Sequence, residues 1–348
     1  MDRVRAVIVG MGIGRPNGRA IAKNPRGEVV ALCDLESGRM AEFAAELPGE
    51  QTLYTDYREA CRDPRVNAVF VGTPNQWHVP VALEAVRNGK HVLVTKPLAD
   101  SVDAARQLVE QAEAAGVVNM MSLSNRFSEE CRHLGKLAAD GVLGDVYYAR
   151  ARSVRRNGIP VWRGDQLRLG FIRPGGGAFR DMGVHVLDAA WWLMGTPKPV
   201  EALAVGGAKF GPLGRGFNKP AGDDVARQFE VDDYASGIIT FDNGAGIQVE
   251  SFWASHFEHT VNVELFGTEA GASMRPLSIH RMDADPHVET PQVLGEKTGM
   301  ENVADHFIDC VLDGAPCSAP LRHGLIVQEM MEAVLKSVDT GGSALIDE

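Results

Sequence analysis

Asp181 and His185 stand four residues apart in Gly175-Gly176-Gly177-Ala178-Phe179-Arg180-Asp181-Met182-Gly183-Val184-His185-Val186-Leu187-Asp188, where glycines lead into an apolar run. Residues i and i+4 of a helix share a face, so this carboxylate can orient the imidazole and stabilise its charged form. A histidine titrates at about 6.5 in water and can take a hydroxyl proton at neutral pH. Alone, the pair reads as well as a helix cap and a core histidine. Two other segments shift the reading toward chemistry. Gly10-Met11-Gly12-Ile13-Gly14 is a nucleotide-type glycine turn, and Thr95-Lys96-Pro97 sets a lysine just after a strand. A glycine turn, a lysine and an Asp/His helix together point to redox chemistry on a hydroxyl.

The glycine turn follows the strand Val4 to Val9 and precedes a helix expected from about Asn17. Glycines there let the backbone approach a pyrophosphate, whose charge the helix N-terminus stabilises. A full G-x-G-x-x-G fingerprint would need glycine at 15, where Arg15 stands before Pro16. Asp34 ends the second strand about twenty residues beyond the turn, where an acid would bond a ribose diol. Glu36 adds negative charge that repels a 2′-phosphate, so NAD is expected rather than NADP, with Arg39 the one residue opposing that preference. Asp34 could otherwise cap a helix running from Ser37 to Leu47.

Gly72-Thr73-Pro74-Asn75-Gln76-Trp77-His78 also lies at the ligand-binding edge of the sheet. Asn75 there is equally suited to capping the next helix, and His78 to a surface place in its first turn. Lys96 lies at a strand's carboxyl edge, where Pro97 fixes the chain and aims the ammonium at the cofactor crevice. The expected cofactor contacts are Gly10, Gly12, Ile13, Gly14, Asp34, Thr73, Asn75, His78, Lys96 and Pro97.

The elements that must position these groups follow from pattern and length. A chain of 348 residues exceeds one usual core, so two domains are expected, 1–122 and 123–348. The first alternates strand candidates (Arg5 to Val9, Val29 to Cys33, Ala68 to Val71, His91 to Val94, Val117 to Met121) with helices such as Val79 to Asn88 and Val102 to Ala115. That is an α/β parallel sheet covered by helices. Gly89 and Gly116 sit where helix C-caps are expected. Beyond 122 the pattern is α+β with a mostly antiparallel open sheet. Its clearest part is a hairpin, Tyr234 to Phe241, Asp242-Asn243-Gly244, then Ala245 to Ser255, and Val261 to Leu265 adds a strand. Closing helices are expected at Val303 to Leu312 and Leu325 to Ser337, stopped by Gly314 and Gly341 and free to pack back on the first domain.

Together these residues resemble the Gfo/Idh/MocA oxidoreductases, the glucose-fructose oxidoreductase and inositol dehydrogenase-like proteins. The resemblance runs from the glycine turn through Thr73-Pro74-Asn75, Lys96-Pro97-Leu98 and the Asp181-x-Gly183-x-His185-x-x-Asp188 helix to the hairpin and final helices. It implies a Rossmann domain followed by a substrate domain whose sheet pairs subunits into a homodimer or homotetramer. It implies Lys96, Asp181 and His185 as catalytic groups and Arg126 near the substrate cleft, where a plain inter-domain salt bridge is the alternative. Thr95 stands where the family has glutamate, and the third fingerprint glycine is displaced. The implied activity is an NAD-dependent dehydrogenase of a sugar, cyclitol or related polyol. Two alternatives are a glycoside hydrolase using transient oxidation with retained NAD, which would accumulate no NADH, and a non-catalytic NAD-binding regulator, which would bind a protein partner without turnover.

Composition narrows partners. With 35 basic against 46 acidic residues the net charge is −11, which works against phosphate backbones and anionic lipid. No nucleic acid, membrane span or leader is expected, and the chain is read as cytoplasmic. Five scattered cysteines without a C-x-x-C pair predict neither a disulfide framework nor a metal site. Seven arginines between Arg152 and Arg180, against the single acid Asp165, suit either an anionic substrate or a place on the outer sheet face where they pair with acids of another subunit. Trp162, on the loop among them, is a candidate to stack on a sugar ring or to fill the domain seam.

Overall fold

Runs rich in Val, Ile, Leu and Ala build a fully parallel sheet from β1 (Val4–Val9), β2 (Gly27–Cys33), β3 (Thr52–Tyr54), β4 (Ala68–Val71), β5 (His91–Thr95) and β6 (Asn119–Ser122). The structure, a computed structural model, describes residues 2–163, 166–282, 286–292 and 295–346. Strands covered by helices on both faces need apolar side chains at every position, and β4 is buried throughout. The strand order is β3-β2-β1-β4-β5-β6. Chain direction across the sheet reverses between β1 and β4, so their carboxyl ends open a crevice. Val9 lies opposite Cys33 on one side and Val71 on the other, which brings the turns after β1, β2 and β4 level. The three-residue β3 lies outside the strands expected, since so short and half-exposed a run carries no periodicity.

The chain divides into two units, the first comprising residues up to Phe127 with Gly295–Ile326, the second Ser128–Leu294 with Val327–Glu348. The first unit thus takes in Gly295–Ile326 from the closing part of the chain, beside residues up to Phe127 where 122 was expected. The helix Gly299–Asp313 returns to the first unit, where it packs on the helix Gly14–Lys23 and Arg26 pairs with Asp309 and Asp313. Helix stops at Gly89, Gly116, Gly314 and Gly341 all have φ between +64° and +72°, conformations that glycine adopts without strain. Among the described residues no helix is long and apolar enough to cross a membrane.

The second unit is built on β7 (Val146–Val154), with a small separate hairpin of β8 (Trp162–Arg163) and β9 (Gln166–Leu167), then β10 (Pro199–Gly207), β11 (Tyr234–Phe241), β12 (Gly246–Phe252), β13 (Thr260–Gly267), β14 (Gly271–Met274), β15 (Leu277–Arg281), β16 (His287–Glu289) and β17 (Ala344–Leu345). Nine of them form one sheet in the order β16-β15-β14-β13-β7-β12-β11-β10-β17, antiparallel except where β12 lies beside β7. Alternate residues Ala149, Ala151, Ile247, Val249, Val263 and Leu265 are buried on the face that carries the helix Val184–Leu193. The other face bears Arg150, Arg152 and Glu264, with exposed Leu203, Val205 and Ile238 nearby. In the β11–β12 hairpin only Gly244 has positive φ, at +83°. Its N–H returns to the Phe241 carbonyl, so the reversal is a turn closed by one left-handed glycine rather than a two-residue turn needing positive φ at Asn243.

Candidate active site

In the first unit the carboxyl ends of three strands are joined through the glycine turn. Gly10 has φ +93°, its N–H donates to the Cys33 carbonyl at 2.8 Å, and the Gly72 N–H donates to Val9 at 2.8 Å. A Cβ on Gly10 would lie 2.5 Å from the Gly72 oxygen, a backbone clash nothing can relieve. The following helix begins at Gly14, three residues before the expected start. A Cβ at Gly14 would meet Ile8 at 2.7 Å, and one at Gly18 would meet the Phe43 ring at 2.9 Å. Gly18 thus does the close helix packing that a third fingerprint glycine would do. Free amides of the first helical turn therefore follow directly on the turn.

Asp34 braces this turn: its Oδ2 accepts the Met11 N–H at 2.7 Å and its Oδ1 the Glu36 N–H at 3.1 Å. It does not cap the next helix, whose N-cap is Glu36. Arg39 lies 3.8 Å from Asp34 and 3.7 Å from Glu36 and donates to the Met11 carbonyl, so the residue expected to oppose the acids is spent on neutralising them. Beside them Thr73 Oγ1 is buried and has no hydrogen-bond partner among the described residues. A buried hydroxyl without a partner is costly and fits a polar ligand atom. The Gly10 cradle, the Asp34 carboxylate and this hydroxyl fit a dinucleotide.

Asn75 lies in a 3-10 turn, Asn75–Trp77, and the helix His78–Arg87 that follows has Trp77 at its N-cap with no side-chain cap. His78 departs from both readings of the sequence. It is neither on the surface nor facing the crevice: it is fully buried, with one ring nitrogen 2.7 Å from the Pro97 carbonyl and the other 2.8 Å from that of Thr73. Burial pushes its pKa down. Its place is between the loops after β4 and β5, so it positions Thr73 and the Lys96–Pro97 step instead of contacting cofactor. Lys96 itself is half-buried at the end of β5, and its bond to Pro97 is cis.

Arg126 also differs from expectation. It is 1% exposed, and its Nη1 donates to the Ser318 carbonyl at 2.5 Å and to His323 Nδ1 at 3.0 Å. Burial, aided by the adjacent guanidinium, pushes His323 down to about 4. Arg126 ties the segment after β6 to the 318–323 segment and is not an exposed arm for substrate.

In the second unit the segment before the helix is a π-turn, Phe179–Gly183, running into Val184–Leu193. Such turns recur at functional sites because they re-aim side chains. From residue 177 to 191 every residue is buried except Arg180, Asp181 and His185. Arg180 is taken by a two-pronged pair with Glu332, at 3.0 and 2.6 Å. The accessible Asp/His pair therefore stands out from an otherwise closed element. Asp181 Oδ2 accepts the indole N–H of fully buried Trp253 at 3.1 Å, which fixes the carboxylate.

Sequence reasoning missed Asp232, whose Oδ2 accepts the Phe179 N–H at 2.9 Å at the head of the π-turn. Gly177, at φ +107°, makes room for it, since a Cβ would lie 2.1 Å from Asp232 Oδ1. The only available signal was an acidic doublet, Asp232-Asp233, on a loop. Burial raises the Asp232 carboxyl from 3.8 to about 6. The folded protein thus holds this proton more tightly than the unfolded chain, and stability falls as pH rises through about 4 to 6. Asp232→Asn keeps an acceptor for Phe179 and removes the buried charge. Its stability relative to the parent is expected to rise with pH across that window by up to about 3 kcal/mol, read from urea midpoints at both ends. Parallel pH profiles would refute this.

Trp162 donates its indole N–H to the Pro220 carbonyl at 3.1 Å and packs on a cluster that includes Ala178, Met182 and Trp253. It therefore adjoins the cluster supporting the π-turn within its own unit. Of the arginine-rich segment, Arg152 pairs with Glu264 across β7–β13 at 3.0 Å, Arg173 bonds Gln228 and Arg168 bonds Gln166. Asp165, the one acid of the segment, lies outside the described residues, as does the side chain of Arg163.

Residues 4–123 match the GFO/IDH/MocA oxidoreductase family, NAD-binding Rossmann fold, and residues 131–273 match the C-terminal domain of the same family. The chain is 29% identical over 327 residues to D-glucoside 3-dehydrogenase of Escherichia coli (strain K12), covering 90% of this chain and 89% of that one. It is 31% identical over 246 residues to 1,5-anhydro-D-fructose reductase of Ensifer adhaerens, covering 70% and 67%. A solved structure of levoglucosan dehydrogenase with NADH and L-sorbose has a TM-score of 0.85 at 21% identity over 100% of both chains.

Proposed function

Because this chain belongs to the GFO/IDH/MocA oxidoreductase family and has its NAD-binding domain, we propose that it oxidises a secondary hydroxyl of a neutral sugar or cyclitol. The observation that carries this reading is the Asp181/His185 pair left accessible on a buried element. NAD, when bound, supplies the hydride acceptor. Gly10, Gly12, Ile13, Gly14, Asp34, Thr73, Asn75, Lys96 and Pro97 would hold it. An imidazole nitrogen of His185 takes the hydroxyl proton as the carbinol carbon loses hydride, which leaves a ketone. Asp181, its carboxylate fixed by Trp253, would stabilise the charge that the imidazole gains. Lys96 hydrogen-bonds the reacting oxygen and stabilises developing alkoxide charge.

A neutral substrate is favoured because Arg152 and Arg180 already have carboxylate partners. Trp162 offers an apolar ring face for a pyranose, with its N–H committed elsewhere. The test is an NAD-reduction screen over sugars, inositols, sugar acids and sugar phosphates. NADH formed with a neutral polyol supports the assignment; a consistent preference for acids or phosphates defeats the neutral class, and release of glycoside products without NADH defeats the dehydrogenase.

The exposed Leu203, Val205 and Ile238 share the sheet face opposite the covering helix. Such an apolar face suits burial against a second copy. Val205→Lys is expected to shift the particle to a smaller mass in light scattering; an unchanged mass would exclude this face as the contact.

A further inference from the structure

We infer that His306, Cys310 and Cys317 form a binding site for one soft divalent cation, of which zinc is the representative. Their ligand atoms all lie within 4.8 Å of one another, and His306 Nε2 is 3.5 Å from Cys310 Sγ. Zinc–sulfur bonds of about 2.3 Å and zinc–nitrogen bonds of about 2.0 Å in a tetrahedron require an N···S edge of roughly 3.5 Å. One edge therefore already has the required length, and the others close with sub-ångström to ångström shifts of side chains. One imidazole and two thiols are the donor set that selects zinc over magnesium or calcium.

The chain path explains the convergence. His306 and Cys310 are one turn apart on the helix Gly299–Asp313, which Gly314 ends at φ +68°. The chain then doubles back along β6, where the Met121 N–H donates to the Ala319 carbonyl and Cys317 Sγ lies 4.0 Å from the Asn119 carbonyl. That return brings Cys317 alongside the helix. The imidazole is held in the state a metal needs. The Ser318 N–H donates to Nε2 at 3.0 Å, so this nitrogen bears a lone pair, and the Phe127 ring packs against the imidazole with centroids 5.3 Å apart. An ion would replace the Ser318 amide as partner of Nε2. The Ser318 hydroxyl, 2.9 Å from the same nitrogen, is placed to complete or water-bridge a fourth position. Both cysteines are free thiols. An ion here would staple the helix to the returning segment, whose Ser318 carbonyl is gripped by Arg126.

The experiment uses the full chain, chelator-stripped and kept reduced, in equilibrium dialysis against zinc and in absorption titrations with cobalt. One zinc per chain is expected, with a thiolate-to-cobalt charge-transfer band, and a rise of a few degrees in thermal midpoint at saturating zinc. Cys317→Ala, at a partly exposed position, is expected to weaken binding roughly 100-fold or more, and Cys310→Ser likewise, whereas Cys131→Ala in the other unit leaves it unchanged. The inference is overturned if no zinc binds, if binding survives both substitutions, or if cobalt shows no charge-transfer band. Recovery of a Cys310–Cys317 disulfide that zinc fails to protect against also overturns it, in favour of a redox pair.

Discussion

His185→Ala is expected to lower kcat for the cognate polyol by about 10²–10⁴-fold, the usual contribution of a positioned general base. The substitution falls on a side chain that is only half-buried within an otherwise closed helix, so the fold should survive it. KM should change little by comparison, because proton removal belongs to the transition state. The acid limb of the pH–kcat profile, where the base is protonated, should vanish with the imidazole. Asp181→Asn should be milder, since an amide oxygen still accepts the Trp253 N–H while the charge that supports the imidazolium is lost. A His185→Ala enzyme that keeps kcat within about threefold would remove this residue from the mechanism.

Lys96→Ala is expected to cost about 10²–10³-fold in kcat, the scale for losing one donor to a developing oxyanion. NADH affinity, read by fluorescence titration, should change far less, because the Gly10 cradle, Asp34 and Thr73 would still hold the dinucleotide. Lys96→Arg should recover part of the rate at most, since a planar fork cannot place its charge where a compact ammonium stands. A contrasting readout comes from His78, whose ring lies between the carbonyls of Thr73 and Pro97. If His78→Asn lowered kcat by about 10²-fold or more while Lys96→Ala left it intact, the loop geometry and not the lysine would carry the chemistry.

Much of the fold was legible because its signals are local. Gly89, Gly116, Gly314 and Gly341 end helices where positive φ is needed, and unbroken apolar runs mark strands buried on both faces. The Asn243-Gly244 hairpin was found although Gly244 alone takes the left-handed conformation, since the turn needs just one such residue. The three-residue β3 was not legible, being too short for a period; that the closing helices were free to pack back on the first domain was read, but which of their residues do so is a long-range packing choice that no local pattern encodes.

The sequence by itself determined the class of chemistry. Gly10, Asp34, Lys96, Asp181 and His185 are chemically specific types at spacings that strands and helices impose, and periodicity along the chain is enough to read them. Only the tertiary structure decided what each polar group is spent on. Arg126 and His78 proved to be buried ties, Arg39 a neutraliser of Asp34 and Glu36, Arg180 the partner of Glu332. It also brought forward Asp232 and the His306, Cys310 and Cys317 cluster. The physical reason is that hydrogen bonds and ion pairs are satisfied by whichever group folding brings within about 3 Å, and residues such as Cys317 and Asn119 or Phe179 and Asp232 meet across sequence separations that no local pattern encodes.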